Sequence, residues 1–105
     1  MKKETLTKEQ QDNVVRWIVR GYEIDSVEFM DFKKDKKTGF YLLNIQLNGD
    51  ESLETTLSIR QLKELEEKDA IIGLNPIDRF QSIERDIALE GEIDLSQIKI
   101  KYLGD

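Results

Sequence analysis

The sequence predicts an α+β domain in which an amphipathic N-terminal helix packs on a curved antiparallel sheet of about four to five strands. Apolar residues recur every three to four positions up to Tyr22, and mainly every second position within the runs that lie between Val27 and Ile59. An Asn-Gly pair at residues 48–49 separates two alternating runs, which is a strong short hairpin signal. Because the helix and the sheet each need a covered apolar face, we expect two packed layers.

The first helix is expected to run from about Lys8 to Arg20. Thr7 and Gln10 have the spacing of a capping box, and Gly21 suits the C-terminal cap. One face of this helix carries the apolar residues Val14, Trp17, Ile18 and Tyr22. This face predicts the contact with the sheet.

Three antiparallel strands in a meander are predicted after the helix. In the first, Val27 and Phe29 fall on one face and Met30 and Phe32 on the other, so either a bulge lies near Met30 or both faces are partly covered. The next two strands alternate cleanly. Their apolar sets are Tyr41, Leu43, Ile45 and Leu47, followed by Leu53, Thr55, Leu57 and Ile59.

The second half of the chain has weaker signals. Helical spacing predicts a short helix from about Arg60 to Asp69, and Gly73 and Pro76 then break the pattern. Residues 80–92 fit either a helix or a strand, and the shared parity of three apolar positions favours a strand. Alternation over residues 98–103 predicts a final, half-exposed strand.

Composition excludes several classes of function. The 105 residues include no cysteine and no histidine, which removes disulfides, ordinary zinc sites and a Ser-His-Asp triad. A net charge of −6 disfavours nonspecific binding to nucleic acid, because that binding needs a basic face. No apolar run approaches the ~18 residues of a membrane span. We therefore expect one soluble, noncatalytic domain over residues 8–105, preceded by a flexible tether at residues 1–7.

The acidic and glycine-containing segments indicate no chemistry. Residues 48–52 lack the ligand spacing of a calcium loop, and the six glycines are scattered singly, so no phosphate loop is expected. A glycosidase needs two carboxylates facing each other across a cleft, and a solvated charged edge is the preferred interpretation of the acidic cluster. The cluster contains Asp78, Glu84, Arg85, Asp86, Glu90 and Glu92. No catalytic residue, cofactor or metal is assigned, and Trp17 is interpreted as a core anchor.

One basic cluster contrasts with this acidic chain. Within KKDKK, residues 33–37, the lysines Lys33, Lys34, Lys36 and Lys37 against one aspartate give a local charge of +3 and leave −9 for the rest of the chain. We call this segment the lysine turn. It is expected to be the solvated turn of a hairpin completed by the following Thr-Gly. The functional alternative is a binding site for an anionic surface, at about 1 kcal/mol per lysine near an acidic membrane.

Two stretches resemble small, functionally uncharacterised lipoproteins of Gram-positive bacteria. They are VVRWIVRGYEIDSVEFMDFKKDKKTGFYLLNIQLNGD and the terminal IDLSQIKIKYLGD, which cover about residues 13–50 and 93–105. In that family a signal peptide and a lipid-bearing cysteine precede a loosely cystatin-like domain. This chain has neither, so Met1 would replace the lipidated cysteine and KKETLTKEQ would be the tether. The resemblance implies a place at the outer face of the cytoplasmic membrane, peripheral association through the missing anchor, and no catalytic residue.

Three functional hypotheses follow. The first is a noncatalytic binding module at the outer face of a Gram-positive cytoplasmic membrane, which contacts an unidentified protein or an anionic envelope polymer. Its contact would be the lysine turn, the sheet surface or the edge strand at residues 98–103. The second is a cytosolic or phage-encoded regulatory protein whose acidic surface binds a basic partner. The third is a carboxylate-dependent hydrolase, which requires a pocket that contains an Asp or Glu pair.

Overall fold

An N-terminal helix, a four-stranded sheet and a short second helix confirm the predicted α+β class. The computed structural model describes residues 5–104. Its helices and strands are α1 (Lys8–Gly21), β1 (Ser26–Lys34), β2 (Tyr41–Leu47), β3 (Glu54–Ile59), α2 (Ile77–Phe80) and β4 (Lys99–Lys101). The strand order is β3-β2-β1-β4, so β3 and β4 form the two edges of this sheet.

Helix α1 begins at the predicted capping box. The Thr7 hydroxyl accepts a hydrogen bond from the Gln10 N–H at 3.1 Å, and the Gln10 side chain accepts one from the Thr7 N–H at 2.9 Å. Leu6 is 5% exposed and packs in the core, although it falls within the predicted tether. Residues 1–4 of that tether lie outside the described residues, and the packed domain begins by Leu6 rather than at Lys8.

A distant loop, rather than the predicted glycine, caps the C-terminal end of α1. Gly21 is itself the last helical residue. The final carbonyl groups of a helix have no partner within it. Arg85 satisfies two of them, since its N–H donates to the Gly21 carbonyl at 2.9 Å and its Nε to the Val19 carbonyl at 2.8 Å. The Leu89 N–H donates to the Arg20 carbonyl at 2.9 Å.

A β-bulge at Met30 explains the two-faced pattern of β1. The register with β2 shifts between Phe29 and Asp31, so Met30 has no partner across the ladder. Phe32 consequently joins Val27 and Phe29 on the buried face, and Met30 is 45% exposed. Of the two predicted explanations, the bulge is the one that the structure confirms.

Strands β2 and β3 complete the predicted meander. Asn48 and Gly49 have φ angles of 56° and 62°, the left-handed conformation that an Asn-Gly hairpin turn uses. A 3-10 turn at Glu51–Leu53 then leads into β3. The alternating apolar sets of both strands are buried, with Tyr41 half-buried.

The final strand corrects the prediction that all strands are antiparallel. Strand β4 pairs with β1 in parallel, with Ser26 opposite Lys99 and Glu28 opposite Lys101. Residues 61–98, which we call the crossover, carry the chain from one edge of the sheet to the other and so give β4 this direction. The strand has three residues, fewer than the pattern over 98–103 predicted.

The crossover overturns two further predictions. The helix predicted over residues 60–69 is a 3-10 turn at Leu62–Glu66, and the short α-helix is α2. The strand favoured for residues 80–92 is absent from the described structure, where a 3-10 turn at Gln81–Ile83 is followed by irregular chain. Contacts with α1 explain the difference, because they use backbone groups that a helix would pair internally and a strand would pair with a neighbouring strand.

The crossover covers the parts of α1 that the sheet leaves open. The Asn13 amide donates to the Leu65 carbonyl at 2.8 Å, and the Trp17 indole donates to the Glu67 carbonyl at 2.7 Å. Trp17 is 7% exposed, which confirms it as a core anchor. The crossover contributes Leu65, Leu74, Phe80 and Ile93 to the same core that α1 and the sheet form.

Candidate functional site

The lysine turn is the predicted hairpin turn between β1 and β2. The Asp35 N–H donates to the Phe40 carbonyl, and the Gly39 N–H donates to the Asp35 carbonyl, both at 2.8 Å. The Asp35 carboxylate accepts hydrogen bonds from the Lys37 N–H at 3.1 Å and the Thr38 hydroxyl at 3.0 Å. Gly39 has a φ of 77°, as the turn requires. Asp35 therefore stabilises one conformation of the turn.

The four predicted site residues lie together at the end of β1 and in the turn. Lys33, Lys34, Lys36 and Lys37 are all exposed. The ion pairs within the described part of the chain include none of them. Four ammonium groups consequently face solvent at one tip of the sheet.

Folding adds a fifth cation that the sequence analysis missed. Ile59, at the end of β3, pairs with Tyr41, so Arg60 lies beside the lysine turn. The guanidinium carbon of Arg60 is 5.6 Å from the centroid of the Phe40 ring. In a three-strand meander the end of the third strand lies beside the turn between the first two strands. The predicted meander therefore contained the information needed to place Arg60 near the lysine turn. We call the four lysines and Arg60 the basic end.

Aromatic rings lie directly behind the basic end. The Phe32 and Tyr41 rings are stacked, with centroids 5.5 Å apart. Lys34 Nζ lies 5.6 Å from the centroid of the Tyr41 ring. A lysine can pack its aliphatic stem on such a ring while its ammonium group stays in water. The rings therefore support Lys34 and Arg60 and leave their charges accessible.

The opposite end of the sheet contains the carboxylates of Asp25 and Asp50. Asp50 follows the Asn-Gly turn, and the Asp25 N–H donates to the Asn48 side chain at 2.8 Å. The Ser52 hydroxyl and N–H donate to the Asp50 carboxylate at 2.7 and 2.9 Å and lower the pKa of Asp50 below its ordinary value. The seven residues of β2 separate the two ends by roughly 20 Å.

A cleft of about 700 Å³ opens on the outer face of the sheet. Its lining includes Asp31, Asn44 and Thr56, one from each strand of the meander. The Asn44 side chain donates to Asp31 at 3.4 Å and accepts a hydrogen bond from the Thr56 hydroxyl. Glu54 and Arg79 also line the cleft, and Arg79 donates to the Glu54 carbonyl at 2.9 Å. Because the cleft contains an Asp and a Glu, the hydrolase hypothesis retains the pocket it requires and stays a prediction.

The acidic cluster of the sequence lies along the crossover and not on a strand edge. Asp78 is on α2, and Arg85 turns toward α1, where it also pairs with Glu23 at 3.9 Å. The exposed members in the irregular chain are Glu84, Asp86, Glu90 and Glu92. Among residues 5–104, no three Asp or Glu side chains are grouped so that they would hold a metal ion.

No helix in the described residues is long and apolar enough to cross a bilayer. Comparisons with protein-family models, curated proteins and solved structures find no match. The resemblance to Gram-positive lipoproteins and the location that it implies stay predictions.

Proposed function

We propose that the protein is a noncatalytic binding module that contacts an anionic ligand through its basic end. The supporting observation is that five exposed cations surround a turn whose acidic residue, Asp35, is engaged by the turn itself. A carboxylate that binds neighbouring backbone and hydroxyl groups is less available to the lysines beside it. The positive charge of the basic end is thus directed outward.

The expected strength of this contact is sufficient for reversible binding. Each lysine near an acidic surface contributes about 1 kcal/mol, so four contribute ~4 kcal/mol, or about three orders of magnitude in affinity at low salt. The hydrogen bonds of Asp35 fix the turn before binding, which reduces the conformational entropy lost on contact. Salt weakens the contact because the cations are exposed.

The remainder of the chain would orient the molecule on an anionic surface. The basic end together with Asp35 has a charge of +4, which leaves −10 for the other residues. A negative surface repels those residues and attracts the tip of the hairpin. The resemblance to envelope lipoproteins suggests the setting, in which phosphate-rich polymers or lipid headgroups at the outer face of a Gram-positive membrane are the ligand.

The test is a variant in which Lys33, Lys34, Lys36 and Lys37 are all changed to Ser. We expect at least an approximately tenfold loss of binding to phosphatidylglycerol vesicles by cosedimentation, or to poly(glycerol phosphate) by calorimetry. The two arms distinguish a lipid from a soluble polymer as the source of phosphate. The melting temperature should change little, because these side chains are exposed.

A charge-matched control keeps the basic end intact. It changes four other exposed lysines to Ser, namely Lys63, Lys68, Lys99 and Lys101. Both variants have the same net charge, so a difference between them reports position and not total charge. Equal binding by the two variants and the unmodified protein would contradict the proposal.

A further inference from the structure

Three exposed aliphatic residues lie in segments that contact the C-terminal end of α1. Ile71, Ile87 and Leu89 are 56%, 83% and 39% exposed. A Cβ on Gly21 would lie 3.4 Å from Cδ1 of Ile71, so Ile71 lies against the last helical residue. The Leu89 N–H donates to the Arg20 carbonyl, which brings the other two residues to the same helical turn. We call these three residues the apolar patch.

Two arginines hold the backbone of the apolar patch in place. Arg20 donates through Nη1 to the Leu89 carbonyl at 2.9 Å and through Nη2 to the Gly91 carbonyl at 3.1 Å. Arg85 donates through Nε to a helical carbonyl at 2.8 Å. Arg20 is 8% exposed, so its bonds are shielded from water. Ile87 lies in the chain between Arg85 and Leu89, where these two anchors hold the backbone, and its side chain is exposed on a segment with a fixed backbone. Less conformational entropy is therefore lost when a partner binds this segment.

The rim of the apolar patch is acidic. Glu84 and Asp86 precede Ile87 in the chain, Glu90 follows Leu89, and all three acidic residues are exposed. The ion pairs found among the described residues include none of these three carboxylates. The nearby arginines are the two anchors, which bind backbone carbonyls and pair with Asp69 and Glu23 rather than with the rim. Residues 61–98 contain ten acidic and four basic side chains, so this segment carries the whole net charge of −6.

We propose that the apolar patch binds a basic amphipathic segment of a protein partner. The aliphatic face of that segment covers the patch, and its Lys and Arg side chains pair with the acidic rim. Charge complementarity selects this occupant. An anionic membrane is repelled by the rim, and a second copy placed on the patch by two-fold symmetry brings two acidic rims together. This proposal does not depend on the basic end, which lies on a different part of the molecule.

The probe is a peptide of about 15 residues in which Leu and Lys form an amphipathic helix, compared with a scrambled peptide of the same composition. Fluorescence anisotropy of each labelled peptide gives its affinity for the full chain. We expect the amphipathic peptide to bind at least about tenfold more tightly, because only that peptide presents a continuous apolar face. Amide chemical shifts should change at Ile71, Ile87 and Leu89. Equal affinities, or shifts confined to other residues, overturn the proposal.

Three variants separate the apolar and charged contributions. The I87S/L89S variant should bind the amphipathic peptide at least about tenfold more weakly. The E84Q/D86N/E90Q variant should lose affinity and most of the salt dependence. The control is I77S, because Ile77 is 70% exposed but lies on α2. All the changes are at exposed positions, so the melting temperatures should remain close to that of the unmodified protein.

Two results would contradict this assignment of the occupant. Unchanged peptide affinity in both the I87S/L89S and the triple-charge variants would show that the patch is not the binding surface. A concentration-dependent dimer in sedimentation equilibrium that I87S/L89S abolishes would identify a second copy as the occupant and overturn the assignment to a basic partner.

Discussion

The basic end and the crossover present opposite charges, and the same physical cause produces both. At the lysine turn the backbone has spare N–H groups, and a carboxylate, Asp35, binds there and leaves the lysines outward. At the end of α1 the helix and the crossover both have spare carbonyl groups. The Arg85 guanidinium binds a helical carbonyl, the Arg20 guanidinium binds carbonyls of the crossover, and the acidic side chains remain exposed. In each region the side chains of one charge bind backbone groups, and the side chains of the opposite charge remain exposed to solvent.

This comparison assigns separate tasks to the charged residues. Asp35, Arg20 and Arg85 are structural, and the cations and carboxylates around them are available for ligands. Substitution of a structural charge should therefore change stability first. Substitution of an outward charge should change binding and leave stability nearly constant.

The largest effect is expected for Arg20→Ala. This change removes a buried guanidinium and its two hydrogen bonds to carbonyl groups of the crossover, so the free energy of unfolding should fall by about 3 kcal/mol. Urea denaturation monitored by Trp17 fluorescence measures this free energy of unfolding. The control is Arg60→Ala at the exposed basic end, where the change should stay within about 0.5 kcal/mol. Equal losses in the two variants would remove the distinction between structural and outward charges.

A smaller effect is expected for Asp35→Ala. The loss of two side-chain hydrogen bonds in the lysine turn should lower the free energy of unfolding by about 1 kcal/mol. Asp35→Asn retains an acceptor oxygen and removes the negative charge, so it should preserve most of the stability and strengthen binding to anionic vesicles. Urea denaturation and cosedimentation test both variants. Weaker vesicle binding by Asp35→Asn would show that the carboxylate itself contributes to the ligand site.

Arg60→Ser tests whether the cation added by folding belongs to the basic end. Its loss should weaken vesicle binding by about fivefold, which corresponds to ~1 kcal/mol. Lys63→Ser is the matched control, because it removes one exposed positive charge three residues away in sequence. If Lys63→Ser reduces vesicle binding as much as Arg60→Ser does, Arg60 does not belong to the basic end.

The smallest effect concerns pH. Hydrogen bonds from Ser52 lower the pKa of Asp50 below its ordinary value of 3.8, and those from Ser96 do the same for the pKa of Asp94. Because the folded pKa is depressed, the contribution to stability is present above about pH 4 and is lost as the pH falls through the folded pKa. The stability difference between the unmodified protein and S52A/S96A in urea denaturation should thus shrink from pH 5 to pH 3. A constant difference would contradict this linkage.

The meander was predictable because each of its signals is local. Alternation identifies β2 and β3, and Asn48 and Gly49 identify the turn between them. The pattern around Met30 predicted either a bulge or two partly covered faces in β1, and the bulge is correct. The lysine turn was placed correctly because a turn is defined by its own few residues. Only Arg60 was missed, because the pairing of β3 with β2 brings it to the basic end.

The crossover was not predictable because its contacts are distant in sequence. Leu62 and Leu65 are three residues apart, a spacing that a 3-10 turn satisfies as well as an α-helix does. Residues 80–92 were given a strand from their parity, but their backbone instead caps α1. The parallel direction of β4 likewise follows from the path of the crossover, which hydrophobic periodicity does not encode.

The most direct test of the basic end as the ligand site is an amide chemical-shift titration with poly(glycerol phosphate) at low salt. We predict shifts or line broadening at residues 33–41 and at Arg60, reversed by added salt, with residues 48–52 and 84–90 unaffected. This result would show that the ligand selects one end of a chain whose net charge is −6. Saturating shifts at the opposite end of the sheet, or none at residues 33–41, would contradict the assignment.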